Sequence, residues 1–303
     1  MAKMMTPAIE KVEKARANKK ISSGISPTIA AWHRLRRNKA AMISGAIILV
    51  FVVFAIFPSQ IAPYGFDDQN YSAAFTPPCS EYPLGTDNLG RDILSRIIWG
   101  SRMSLIIGIV SVVIGLLFGC VIGAVAAFYG GKVDEVLMRI MDVFLAIPNM
   151  LLALAIAASL GTGLGNMLLA IAISNVPRFA RIVRSSVLAN KGMEFVEAAT
   201  AIGASNSRLI FRHLLPNSLA PIIVQGTLGI ASGILCACGL SFLGLGIQPP
   251  TAEWGMMLSS ARQYIRGNWW MVTFPGLTIM LNIGCFNLLG DGLRDALDPR
   301  LKD

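Results

Sequence analysis

Residues 197–216 read EAATAIGASNSRLIFRHLLP, a polar and cationic stretch that lies between two hydrophobic runs. Ala198 and Ala199 favour a helix and allow another surface to approach closely. Gly203 permits a left-handed turn that a residue with a side chain would adopt only with strain. The first half of the stretch therefore predicts a short helix that ends at a glycine.

The second half carries a capping signal followed by a stop signal. Ser205 or Asn206 can cap a second short helix through a side-chain oxygen. We expect this helix to end before Pro216, because proline lacks the amide hydrogen that a helix interior needs. Together the two halves predict two short helices hinged at Gly203.

The composition predicts a chain that resides in a lipid bilayer. Hydrophobic residues make up 54% of the 303 positions, the mean hydropathy is +0.62, and charged residues make up only 14%. Soluble domains carry about 25% charged residues. The net charge of +9 does not indicate nucleic-acid binding, because no basic surface interleaved with aromatic residues occurs.

Apolar runs of about twenty residues, the length that crosses a bilayer, recur along the chain. They predict an all-α, polytopic membrane protein with six transmembrane helices near 41–61, 103–129, 136–159, 165–187, 217–246 and 269–290. The third and fourth runs are the weakest, since charged residues enter their ends. We expect the long basic side chains there to reach a membrane face. The intruding residues are Arg139, Asp142, Arg178, Arg181 and Arg184.

The distribution of basic residues predicts the orientation. Of the 26 Lys and Arg residues, 21 fall in the segments 1–40, 130–139, 178–212 and 291–303, which six spans place on one side of the membrane. Cytoplasmic loops carry an excess of basic residues. We therefore predict that both termini and the loop around Gly203 are cytoplasmic (N-in, C-in).

The domain organisation follows from these spans. Residues 1–40 are expected to form a cytoplasmic tail rather than a cleavable signal, whose apolar core would lie much nearer Met1. In the external loop, a helix from Asp92 onward is expected to lie at the membrane surface. The predicted order is tail 1–40, first transmembrane helix 41–61, external loop 62–102, core transmembrane domain 103–290 with a cytoplasmic loop at about 190–216, and cytoplasmic C-terminus 291–303.

The second span carries small residues at every fourth position. Gly115, Gly119, Gly123 and Ala127 form a stripe along one helix face. Such stripes let helix backbones approach closely in membranes. The sequence therefore predicts a tightly packed helix pair that includes this span.

Signals for catalysis, metal binding or a nucleotide site are missing from the sequence. No phosphate loop of the form G-x-x-x-x-G-K-[ST] occurs. The two histidines, His33 and His213, lie in different predicted cytoplasmic segments, so they indicate no metal cluster. We expect no catalytic residue, no metal and no cofactor in this chain, which is not expected to be an enzyme.

The stretch 197–216 resembles the EAA loop of ATP-binding-cassette importer permeases. That pattern has Glu-Ala-Ala, three residues, Gly, and a Leu-Pro at the far end. The matching positions are Glu197, Ala198, Ala199, Gly203, Leu215 and Pro216. The general pattern has Ile where this chain has His213, so the resemblance departs from the family at that position.

Three further stretches resemble signatures of the dipeptide, oligopeptide and nickel branch of these permeases. They are YPLGTDNLGRDILSRIIWGSRMSLIIG at 82–108, GLSFLGLGIQPPTAEWGMML at 239–258 and FNLLGDGLRDALDPRL at 286–301. Four signatures in the expected order cover most of the chain from Ile61 onward. The chain is most similar to the C-type permeases of that branch, which implies the type I importer permease fold.

The resemblance also implies partners and a site of contact. It implies a second, homologous permease subunit, two cytoplasmic ATPase subunits that bind ATP and magnesium, and an external substrate-binding protein, all at a bacterial plasma (inner) membrane. The EAA loop would dock into a groove on an ATPase, with Glu197 making a charge-assisted contact and the alanines allowing close approach. Peptides are the implied substrates, and a glutathione-like compound or a nickel chelate stays open.

Residues that line a substrate pathway are less clear from the sequence. Gln225, Asn282 and Asn287 lie within predicted spans and can hydrogen-bond a peptide backbone. They can equally form polar contacts between helices. An ion-gradient transporter and a membrane-embedded enzyme are the rival hypotheses. The first needs ionisable groups near the bilayer midplane, where the sequence offers only neutral candidates, and the second lacks a nucleophile–base pair.

Overall fold

The computed structural model describes residues 27–298, in which helices carry nearly all of the chain. Apart from one bridge between Thr86 and Asp92, these residues contain no β-structure. The helices are α1 Pro27–Arg37, α2 Lys39–Ile56, α3 Ile93–Tyr129, α4 Gly131–Leu145, α5 Asn149–Leu160, α6 Leu164–Lys191, α7 Glu194–Ala201, α8 Leu219–Phe242, α9 Trp254–Ala261 and α10 Trp270–Leu297. The all-α prediction is confirmed.

Helix α3 begins earlier than the second predicted span. Asp92 caps it, because its side chain accepts a hydrogen bond from the backbone N–H of Ser95 at 2.8 Å. No helix-breaking proline follows before Tyr129, so the helix continues for 37 residues. The helix predicted from Asp92 onward is present and leads directly into the second span as the first part of α3. Its place at the membrane surface stays a prediction.

The third predicted span, 136–159, is a bent pair rather than one helix. α4 and α5 meet at an angle of 87°. Pro148 lies at the bend and disfavours a helical conformation for the residue before it. The chain therefore turns sharply between Leu145 and Asn149.

Four helices of the described chain are long and apolar enough by themselves to cross a membrane: α2, α3, α8 and α10. The bent pair α4–α5 makes a fifth if its two halves form one span. Helix α6 has 28 residues, which is long enough, but polar and basic residues in its second half lower its hydropathy. The helix count is therefore roughly consistent with the six predicted spans.

The glycine stripe of α3 packs directly against α6. A Cβ atom on Gly119 would lie 2.5 Å from Cβ of Phe179, and one on Gly123 would lie 2.3 Å from the carbonyl oxygen of Ala180. Real Cβ atoms do not approach other atoms so closely, so side chains at these positions would force the helices apart. The predicted close packing is confirmed, and the stripe's partner is α6.

The two ends of the helix bundle differ in what covers them. We call the end formed by residues 57–92 and 243–269 the cap end. The opposite end, which we call the hinge end, is formed by residues 192–218 together with α1 and the last turn of α10. Arg34 of α1 donates hydrogen bonds to the backbone oxygens of Ala296 and Asp298, at 3.4 and 3.1 Å.

The hinge end thus brings together segments that the sequence assigned to a single membrane side. The loop around Gly203, the start of the described chain and the end of α10 all lie there. The predictions for residues 1–26 and 299–303, including most of the N-terminal tail, lie outside the described residues.

Candidate functional site

The turn at Gly203 has a defined hydrogen-bonded geometry. Gly203 has φ +80°, and its N–H donates to the carbonyl oxygen of Thr200 at 3.0 Å. The N–H of Ala204 donates to the carbonyl oxygen of Ala199 at 3.1 Å. This pair of bonds is a Schellman motif, in which the left-handed residue closes the end of a helix. The predicted glycine turn is confirmed.

The second half of the segment begins as expected and ends differently. Ser205, rather than Asn206, caps it, with its hydroxyl oxygen accepting from the N–H of Arg208 at 3.4 Å. Helical turns then run through Asn206–Arg208, a π-helical stretch Leu209–Leu214, and Leu215–Asn217.

The expectation that the helix ends before Pro216 is wrong. The wider π-helical turns come immediately before Leu215 and Pro216. In a π-helix each N–H bonds a carbonyl five residues back, which relieves the clash that a proline ring makes in an α-helix. The segment therefore joins α8 through a nearly continuous helical path.

The inner face of the segment is packed into the bundle. Val196 and Ala199 of α7 are buried, as are Leu209, Ile210 and Leu214 of the second half. Their neighbours in the same hydrophobic cluster come from α3, α6 and α8: Ala124, Ala127, Val183, Val187 and Ile222. Ala199 therefore does not lie at the surface, so the close approach expected for both alanines applies to Ala198 alone.

The outer face of the segment is open. Glu197, Ala198, Gly203 and Pro216 are exposed, and Leu215 is half-buried. Ile202, at the tip beside the turn, is 86% exposed. A cavity of about 320 Å³ lies beside this tip and is lined by Gly203 and by the cationic or titratable side chains Arg208, Arg212 and His213. The surface thus combines exposed acids of α7, the highly exposed apolar side chain of Ile202 and a hollow lined by basic side chains.

Three arginines follow one another at three-residue spacing along α6. Arg184 donates two hydrogen bonds to the carboxylate of Asp134, and Arg181 donates to Asp142, both on α4. Arg178 has no carboxylate partner among residues 27–298 and instead contacts Gln225 of α8. With the Gln225 amide oriented so that its oxygen faces the guanidinium, Oε1 accepts from Nε at 3.0 Å and from Nη2 at 2.9 Å.

Arg178 lies near the middle of the 28-residue helix α6, about 20 Å from either end at a rise of 1.5 Å per residue. Its guanidinium contacts Gln225, which lies about 9 Å from the start of α8 at the hinge end. The expectation that the basic side chains of α6 reach a membrane face stays a prediction.

The three predicted pathway residues do not come together. Gln225 is half-buried and contacts Arg178, whereas Asn287 is exposed on α10. Asn282 is 0% exposed, and neither amide atom of its side chain has a hydrogen-bond partner within the described residues. Asn282 thus neither lines an open surface nor makes the polar interhelical contact proposed as its alternative.

A groove opens toward the hinge end between α6, α8 and α10, and we call it the α6–α8–α10 groove. It encloses a cavity of about 600 Å³. Its lining includes Ile182, Asn217, Gln225, Leu228, Arg294 and Leu297. A neighbouring hollow of about 420 Å³ shares Ile182 and Asn217 and continues along α6.

The cap end contains buried charges that the sequence reading did not single out. Arg91 is 5% exposed, donates from Nε to Asp87 at 2.7 Å, and lies 3.2 Å from Asp67. Arg96 of α3, also buried, donates to the backbone oxygen of Phe66 at 2.9 Å. The sequence offered one indication of this ion pair. Asp87 and Arg91 are oppositely charged and only four residues apart, so their side chains can come into contact.

Glu253 is a second buried acid at the cap end. Its two carboxylate oxygens accept from the backbone N–H groups of Gly255 and Met256, each at 2.8 Å, and so cap α9. Burial away from water raises the pKa of Glu253, while these hydrogen bonds oppose the rise. The capping of α9 therefore explains why Glu253 is buried.

Within residues 27–298, no group of three His, Cys, Asp or Glu side chains is arranged to hold a metal ion.

Comparison with protein families gives two matches. The family described as "Binding-protein-dependent transport system inner membrane component" matches residues 115–303. The description "N-terminal TM domain of oligopeptide transport permease C" matches residues 26–78. The two matches together cover most of the chain.

Relatives of known role are similar along almost the full length. The dipeptide transport system permease protein DppC of Alkalihalophilus pseudofirmus is 49% identical over 280 residues, covering 92% of each chain. The di/tripeptide transport system permease protein DppC of Pseudomonas aeruginosa is 47% identical, covering 92% of this chain and 94% of the relative. The glutathione transport system permease protein GsiD of Pectobacterium atrosepticum is 43% identical, covering 89% and 90%.

A solved structure has the same fold. It is one of the inward-facing conformations of the MetNI methionine ABC transporter, matched with a TM-score of 0.56 and 18% identity. The match covers 67% of this chain and 96% of the other. At this identity the likeness concerns the fold.

Proposed function

The chain belongs to the binding-protein-dependent transport permeases, the membrane subunits of ATP-binding-cassette importers, and we propose that it carries short peptides inward across the bacterial inner membrane. In this proposal the hinge end faces the cytoplasm and the cap end faces outward. The excess of basic residues in the segments grouped at the hinge end supports that orientation.

The observation that carries the proposal is the two-faced segment 192–218. Its inner face is fixed to α3, α6 and α8 by buried apolar residues, while its outer face offers Glu197, Ala198 and the exposed Ile202. A partner that binds the outer face can therefore move helices through the inner face. We assign this outer face to an ATPase subunit, with Gly203 as the turn between the two halves and Leu215-Pro216 as the exit into α8.

The full assembly that we propose has separate parts for separate tasks. Two cytoplasmic ATPases bind ATP and magnesium and supply the energy, so hydrolysis is not assigned to this chain. A second, homologous permease completes the pathway, and an external binding protein delivers the peptide. Nucleotide binding by the ATPases shifts the permease pair between inward-facing and outward-facing packing.

The substrate class is proposed from the relatives. DppC of Pseudomonas aeruginosa is named for di- and tripeptides, and GsiD is named for glutathione, itself a tripeptide. Both are similar to this chain over nine-tenths of its length, which favours short peptides over a nickel chelate.

Purification and uptake test the proposal together. The chain is purified from its native membrane in mild detergent, and its companions are identified by mass. We expect ATPase subunits and a second permease, and we expect vesicles containing the complex and the binding protein to accumulate dialanine only with internal ATP. A stable homo-oligomer without an ATPase, or uptake driven by an ion gradient, would contradict the proposal.

A charge reversal tests the docking surface itself. Glu197→Lys should reduce the amount of ATPase that is recovered with the permease, because it reverses the charge of the exposed acid that we assign to the ATPase contact. Glu194→Lys makes the same change in net charge one turn earlier on the same helix and serves as the matched control. Equal recovery of ATPase from both variants and the wild type would remove Glu197 from the contact.

A further inference from the structure

Of the three arginines of α6, Arg178 is the one without a carboxylate partner among the described residues. Its two neighbours at three-residue spacing, Arg181 and Arg184, are paired with Asp142 and Asp134. Arg178 is exposed and has the neutral amide of Gln225 as its partner. The row of three arginines therefore contains one that keeps a full positive charge available.

Arg178 lies on the part of α6 that packs inside the bundle. It is about 20 Å from either end of α6, and its partner Gln225 lies about 9 Å inside the start of α8. Phe179, the next residue, packs against Gly119, which is ten residues inside the end of α3 at Tyr129. A charge is costly in lipid, so we expect this guanidinium to face water or protein.

The direction that Arg178 faces is set by Gln225. Gln225 lines the α6–α8–α10 groove, and Ile182, one helical turn from Arg178 on α6, lines it too. Arg178 therefore lies next to a groove that opens at the hinge end, beside its lining residue Gln225. The cavity of about 600 Å³ is within the 300 to 1,000 Å³ common for small-molecule sites.

The free hydrogen-bonding capacity of Arg178 fits a carboxylate. A guanidinium has five N–H donors, and Gln225 takes one from Nε and one from Nη2. The remaining three are on the two terminal nitrogens, the pair that binds a carboxylate in a bidentate manner. Gln225 is then a positioning residue that holds the guanidinium toward the groove.

We propose that Arg178 binds the carboxylate of the transported solute as it passes through the α6–α8–α10 groove. This inference rests on the proposed import function and names the group on the substrate that this chain recognises. A short peptide with a free C-terminus carries one such carboxylate. The proposal adds a recognition step inside the membrane to the selection made by the external binding protein.

The test uses the complete transporter in vesicles with saturating binding protein, and radiolabelled dialanine and dialanine amide as probes. Arg178→Gln should lower the maximal uptake of dialanine about tenfold or more, because a charge-assisted pair is lost. Arg178→Lys keeps the charge but not the bidentate geometry, so it should restore part of the uptake. The preference for dialanine over its amide should fall toward one in Arg178→Gln.

Arg181→Gln is the matched control, since it removes a cation one turn further along the same helix. Its uptake should stay within about twofold of wild type, because Arg181 is an exposed, ion-paired surface residue. Recovery of the ATPases and of the second permease with each variant shows whether the complex has assembled.

Several outcomes would overturn the proposal. An equal loss for both probes in Arg178→Gln, or an equal loss in the lysine and glutamine variants, would make Arg178 structural. If the second permease is no longer recovered with Arg178→Gln, the guanidinium of Arg178 stabilises the interface between the two permease subunits instead. If wild type transports dialanine but not dialanine amide, the two probes cannot be compared. The difference in dialanine uptake between Arg178→Lys and Arg178→Gln then decides alone whether Arg178 binds the carboxylate. Wild-type vesicles that accumulate neither probe overturn peptide import, and this inference with it.

Discussion

The cap end and the hinge end of the bundle use charge in opposite ways. At the cap end Asp87, Arg91 and Glu253 are buried and hydrogen-bonded inside the chain. At the hinge end Glu197 and the tip at Ile202 are exposed and make few internal contacts. Buried charged groups that are hydrogen-bonded within the chain stabilise the fold, whereas exposed groups are able to bind another protein. Variants at the cap end should therefore remove the folded protein, and variants at the hinge end should remove its activity.

The largest effect is expected at Asp87. Asp87→Ala leaves the buried Arg91 and Arg96 without their nearest acid and removes the acceptor of two backbone N–H groups, those of Leu89 and Arg91. Breaking a buried ion pair costs about 3 to 5 kcal/mol. The thermal unfolding temperature of the detergent-purified protein should drop sharply.

Asp68→Ala provides the control for Asp87. Asp68 is exposed and accepts one hydrogen bond, from the N–H of Gly65. Its loss should cost about 1 kcal/mol or less. Equal unfolding temperatures for the two variants would show that burial of the cap-end charges does not stabilise the fold.

Glu253 predicts a dependence of stability on pH. Burial raises its pKa from the ordinary value of 4.5, so the folded chain binds this proton more tightly than the unfolded chain. The stability that the group contributes is therefore present at low pH and is lost as pH rises from about 4.5 through the folded pKa. Residue 253 cannot titrate in Glu253→Gln. The difference in stability between wild type and this variant at each pH therefore removes the contribution of the other ionisable groups.

The measurement is the unfolding temperature of wild type and Glu253→Gln between pH 4.5 and 8. The advantage of wild type over the variant should shrink as the pH rises. Glu253→Ala also removes the cap of α9 and should be about 1 kcal/mol less stable than Glu253→Gln at every pH, because neither variant titrates at this position. An advantage that grows with pH would contradict the raised pKa.

At the hinge end, Gly203→Val should alter coupling more than folding. A Cβ atom at this position meets nothing within 4 Å, so the cost comes from φ +80° alone. For a β-branched residue, the left-handed backbone costs about 1 to 2 kcal/mol of conformational free energy, and this cost destabilises the turn itself. We expect the variant to insert and assemble normally while ATP hydrolysis no longer drives uptake of dialanine.

Two substitutions sharpen this result. Gly203→Asn should retain most of the uptake, because asparagine tolerates the left-handed conformation. Gly192→Ala changes a glycine of the same segment that has φ −89° and open space around it, and it should behave as wild type. Normal uptake by Gly203→Val would show that the turn geometry is not needed for coupling.

The smallest effect is expected at the cap of the second half-segment. Ser205→Ala removes a hydrogen bond of 3.4 Å to the N–H of Arg208, which should cost about 0.5 kcal/mol. The change is best detected as faster hydrogen exchange at residues 206–210. Asn206→Ala should leave exchange unchanged, and the reverse order of the two variants would place the cap at Asn206.

The local features of the candidate site were predictable because they depend on neighbours in sequence. The left-handed turn at Gly203 and the capping signal at Ser205 each involve groups a few residues apart, so residue type alone indicates them. The small-residue stripe of α3 was predictable for the same reason. The continuation of the helix through Pro216 was not, because it depends on a π-helical stretch held by burial of Leu209, Ile210 and Leu214.

By itself the sequence determined the class of the protein, its helical spans and the segment that we assign to the ATPase. Composition, hydrophobic length and short motifs are properties of the chain read in order. Only the tertiary structure decided that Ala199 and Asn282 are buried, that Asp134 and Asp142 neutralise two of three arginines, and that Arg178 contacts Gln225 of α8. These facts join residues far apart in sequence, and their pairing follows from how helices pack.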